Sequence, residues 1–131
     1  MATRERSECL SIPLSVIKRY TAELAPPPPS GTPGQFGLAD PDLIRRILDS
    51  AGFTGIEVDN LLETLPIGGG LGLDDAVKWT LDVQFRLTLS AVAKDVRPQI
   101  EQALRDTLRT FLTNAGVVME SASWLVTARA P

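Results

Sequence analysis

Histidine is absent from the chain, and cysteine occurs once, at Cys9. Without an imidazole, neither a Ser-His-Asp nor a Cys-His nucleophile can be assembled from these residues, and too few soft ligands remain for a zinc site. A single cysteine excludes an intrachain disulfide. With no histidine to activate it, Cys9 reads as an ordinary small side chain near a terminus. No apolar run approaches the roughly 20 residues of a membrane span. Met1 to Cys9 carries Arg4, Glu5, Arg6 and Glu8 where a signal peptide needs an apolar core. The expected location is cytoplasmic, with no membrane partner. Lys and Arg are not gathered with aromatics, and thirteen of them against sixteen Asp and Glu leave a net charge of -3, so no nucleic-acid partner is expected.

What is present suits one ordinary domain: 131 residues, 44% apolar and 22% charged. From Pro13, the spacing of Leu14, Ile17, Tyr20 and Leu24 predicts a short amphipathic helix with Pro13 in its first turn. Pro26 to Pro29 end it, and residues 25–38 read as a stiff connector. Asp40 and Pro41 predict a helix start, with Leu43, Ile44, Ile47, Leu48 and Ala51 as its buried face and Gly52 as its stop. The alternation in GIEVDN predicts a strand. Leu73, Val77, Leu81, Phe85, Leu89 and Val92 predict a long helix opening on Asp74 and Asp75. A further helix is expected from about Val96, capped by Asp95, through Ile100, Leu104 and Leu108 to a stop at Gly116. Residues 122–129 read as a second strand. No internal repeat is seen, and the two strands are expected to pair antiparallel.

Gly68, Gly69, Gly70, Leu71 and Gly72 match Gly-x-Gly-x-Gly, a spacing that lets backbone approach a nucleotide-like cofactor. Such a loop should follow the first buried strand and precede a second one ending in an acid, whereas a helix end lies at the required distance here. A turn or hinge is the better reading. Asp74 and Asp75 do not converge on one point of a helix surface and suit a helix start. Trp79 and Trp124 could each wall an aromatic ligand, though such residues usually belong to a core.

Taken in order, PGQFGLADP, AGF, GIEVDN, GGGLG and WLVTARAP resemble the second half of the ubiquinone- and menaquinone-biosynthesis-like methyltransferases, class I enzymes that use S-adenosylmethionine. SIPLSVIKRYTAELAPPPPSGTPG resembles the segment that helps cap the substrate pocket in that family. The resemblance runs from about residue 10 to residue 131. It implies a truncated α+β piece: an antiparallel strand pair packed with about four helices, divided into a tail (1–9), a lid-like helix and proline-rich connector (10–38) and a C-terminal region (39–131).

The family's cofactor contacts lie in the half that these residues do not match. The resemblance therefore implies no catalytic and no cofactor-binding residue here, and S-adenosylmethionine only if a complementary lobe is supplied. Tyr20, Phe36 and Trp79 become the candidates for a substrate pocket. Three functions follow: a substrate-side methyltransferase part inactive alone, a non-enzymatic homo-oligomeric module, or a binder of small apolar ligands. The strand pair also predicts self-association or a separate cofactor-binding lobe as partner, unless Leu10 to Leu14 folds back along the open edge.

Overall fold

The computed structural model describes residues 7–29 and 31–131, so most of the expected tail lies outside the described residues. The chain is α+β. Helices α1 (Glu8–Lys18), α2 (Pro41–Ser50), α3 (Leu73–Trp79) and α4 (Arg97–Arg109) accompany strands β1 (Thr54–Pro66), β2 (Leu112–Thr113) and β3 (Gly116–Arg129). The strands form one antiparallel arrangement in the order β1-β3-β2.

Helix α1 begins earlier than the sequence suggests, and Pro13 lies inside it. A proline there has no N–H for the carbonyl one turn back, that of Cys9. The side-chain amide of Gln84 donates to that carbonyl at 2.9 Å. The helix is therefore completed by a residue from another element. Its Leu10, Val16 and Ile17 are buried.

Asp40 caps α2 as expected, accepting from the Asp42 N–H at 2.9 Å, and Gly52 stops the helix in the left-handed region at φ +86°. The expected buried face is not fully covered: Ile44 is buried, Leu43 and Leu48 are half-buried, and Ile47 and Ala51 are exposed. Helix α2 packs on β1, and a two-stranded ribbon is too narrow to cover a helix face ≳ 100° wide.

Both main strands are longer than the alternation in GIEVDN suggests. β1 pairs with β3 from Thr54↔Arg129 to Pro66↔Val118, with a bulge between Thr54 and Glu57. On β3 the backbone N–H groups of alternate residues turn away from β1. Val118 donates to the Phe111 carbonyl at 3.1 Å, Glu120 to Glu8 Oε2 at 3.2 Å and Ala122 to Ser7 Oγ at 3.0 Å. Ser7 and Glu8, rather than Leu10 to Leu14, thus fold back along that edge. Pro66 lies opposite Val118, so its missing N–H falls on the outer edge of β1, where no ladder bond is lost.

The spacing that predicts one helix from Leu73 to about Val92 is fulfilled in burial but not in helix. Val77, Leu81, Phe85 and Leu89 are all buried. Yet α3 widens after Trp79 into a π-helical turn over Thr80–Gln84, and residues 85–96 continue in turns and bends. Thr80 Oγ1 donates to the Ala76 carbonyl at 2.8 Å, and the Phe85 N–H reaches the Thr80 carbonyl at 2.9 Å. Side-chain competition for helix carbonyls of this kind favours bending. Helix α4 likewise ends at Arg109 rather than near Gly116, because the Phe111 carbonyl is already taken by β3. Val96, not Asp95, is at its N-cap position. Its buried Ile100, Leu104 and Leu108 meet Ile17, Val77, Val117 and Met119 in the single core.

Candidate functional site

The three residues marked out as pocket candidates are not gathered together. Tyr20 borders a shallow groove beside Pro98, Gln99 and Ala103 at the start of α4. Phe36 borders another among Pro28, Pro29 and Pro33. Trp79 is partly buried against the core. Trp124 is fixed by its indole N–H, which donates to the Ala39 carbonyl at 2.9 Å.

A further cleft lies mainly within the segment the resemblance assigns to the lid. Its volume is about 440 Å³. One wall is α1, which presents Ser11, Leu14, Ser15 and Lys18 at helical spacing. The chain leaves α1 at Arg19 and returns extended, and Leu24 to Pro27 make the second wall. Thr88 joins them through its carbonyl, which accepts from the Ala25 N–H at 3.4 Å. Prolines suit that wall because their fixed φ keeps the strand extended without a helix or sheet to hold it. Lys18 is the one charged residue on the lining, and Ser11 adds a hydroxyl. The cleft can seat a small apolar molecule and offer hydrogen bonds to a polar end. It brings together no carboxylate pair. Sequence reasoning missed Ser11 and Lys18. The available signal was Ser11, Ser15 and Lys18 at i, i+4 and i+7, one stripe facing a proline wall.

Cys9 is buried. Burial pushes its thiol pKa up, and a hydrogen bond with Ser121 pulls the other way less strongly. A thiol so held is protonated at neutral pH and unreactive. Among the described residues no three His, Cys, Asp or Glu side chains sit together as a metal site would require.

The glycine turn makes its close backbone contact at Gly70. Gly68, Gly69 and Gly70 are all left-handed, at φ +65°, +77° and +74°. A Cβ on Gly70 would lie 3.0 Å from the Ala115 carbonyl oxygen, and one on Gly116 would lie 2.8 Å from Gly70 Cα. The close approach that glycine permits is therefore used by the chain's own 115–116 turn. No protein-family model matches the chain, and no curated protein matches it either.

Proposed function

We propose that the chain is the acceptor-side part of an S-adenosylmethionine-dependent methyltransferase, holding a small apolar acceptor while a separate lobe supplies the cofactor. The cleft between α1 and Leu24–Pro27 carries this reading, because it is built from the residues that resemble a substrate lid. The run of helix, left-handed glycine stop, strand, glycine turn, helices and final antiparallel strand supports it as well. The outer edge of β1 offers unpaired backbone to such a lobe.

The test is coexpression with the reading frame that precedes this one, followed by titration of S-adenosylmethionine. The pair is expected to bind it saturably and this chain alone to show no binding. A pair that binds none would end the methyltransferase reading.

A second reading, a non-enzymatic self-associating module, is favoured by one observation. Leu61, Leu62 and Leu65 on edge strand β1 and Leu125 on β3 are all exposed. Light scattering during size exclusion at several concentrations distinguishes it, since a concentration-independent monomer would exclude it.

A further inference from the structure

We infer a second binding site, for a phosphomonoester, in the pocket between the 86–94 turns and the start of α4. This site is independent of the cleft and of any cofactor lobe.

The protein as a whole is acidic, at net -3, yet Arg86, Lys94 and Arg97 all line one cavity of about 180 Å³. The acids nearby in sequence are Asp82, Asp95 and Glu101, of which Glu101 pairs with Arg105 at 3.3 Å. Asp82 is already engaged, accepting from Arg97 at 2.6 Å. That contact uses one edge of the Arg97 guanidinium and holds the group in place, leaving its other N–H donors for a second oxyanion. Arg86 and Lys94 add two more positive charges to the same cavity, and concentrated positive charge in a concave site attracts anions.

The rest of the lining sets the ligand's class. Leu89 and Ile100 are buried and Val92 is half-buried, so the floor is apolar. A bare phosphate would leave that floor uncovered. A phosphomonoester satisfies both parts: its dianion meets the cations and its organic group meets the floor. The ester can come from a soluble metabolite or from the headgroup of a phosphatidic acid, and the chemistry recognised is the same.

The experiment is calorimetric titration of the full chain with phenyl phosphate and with inorganic phosphate, and sedimentation with phosphatidylcholine vesicles containing phosphatidic acid. Phenyl phosphate is expected to bind saturably and more tightly than inorganic phosphate. Loss of either free cation, in Arg86→Gln or Lys94→Gln, should weaken it about tenfold. Both side chains are exposed, so the variants should keep the native unfolding midpoint, and that measurement separates lost binding from lost structure. Saturable phenyl phosphate binding assigns a soluble ester. Vesicle retention without it assigns a lipid headgroup, and each upholds the site. No binding in either arm, or unchanged binding by the folded double variant, overturns it.

Discussion

Pro13 removes a donor that α1 would otherwise use, and Gln84, 75 residues beyond the Cys9 carbonyl it reaches, restores it. The other half of that amide is less well served, because Gln84 Oε1 is buried without a hydrogen-bond partner among the described residues. Gln84→Ala should therefore cost about 1–2 kcal/mol, the loss at the Cys9 carbonyl being partly offset by removal of the unpartnered oxygen. In a Pro13→Ala background the restored backbone N–H can reach Cys9 directly, so the same substitution should cost less. Equal losses in both backgrounds, measured by urea denaturation, would show that the two residues do not compensate for each other. At the α2 cap, Asp40→Ala should lose about 1 kcal/mol. Asp82→Ala, which breaks a half-exposed ion pair, should lose under about 0.5 kcal/mol. Cys9 adds a pH dependence. Its thiol keeps the proton in the fold to a higher pH than in the unfolded chain, so its contribution is complete below about pH 8.5 and falls as pH rises further. Between pH 8 and 10, Cys9→Ala should lose stability less steeply than the native chain.

Elements differ in how much of them could be read in advance, and the reason is where their hydrogen bonds go. Helix α2 was legible because Asp40, Pro41 and Gly52 close both its ends locally. The end of α3 was not, since Leu81, Phe85 and Leu89 keep the burial rhythm of a helix while Thr80 and Gln84 direct polar groups elsewhere. β1 was read only to residue 60 because Leu61 to Leu65 break alternation, and what extends the strand is the length of its partner. Ser11 and Lys18 were not among the pocket candidates, because they meet the proline wall only once it folds back. The glycine turn gives an element-scale test. Gly69→Ala meets no atom within 4 Å and should cost about 1 kcal/mol for its left-handed backbone. Gly116→Ala adds a collision with Gly70 backbone and should cost about 3 kcal/mol. Similar thermal shifts for the two would mean that the turn and β3 do not touch as described.

The molecule as a whole is organised around β3, which has β1 on one side and β2, Glu8 and Ser7 along the other. Glu57, Asp59 and Glu63 line one face of the uncovered β1 edge, and no basic residue lies on that strand. Like charges on an edge oppose pairing between two copies. Any self-association should therefore strengthen in about 0.5 M salt, which screens them, and Leu62→Glu, which adds a further like charge, should abolish it. Association that weakens in salt would point to a different surface.

The contact between Ser7 and Ala122 spans 115 residues and joins the beginning of the described chain to its last strand. Among the described elements, α1 is synthesised before the others and waits longest for its cover. At ~5–20 residues per second, β3 follows only after on the order of 10 s. Throughout that interval Leu10, Val16 and Ile17 have no strand to cover them, and the leucines of β1 have no partner. A stop codon that removes even the final strand would leave no smaller version of this fold to fall back on.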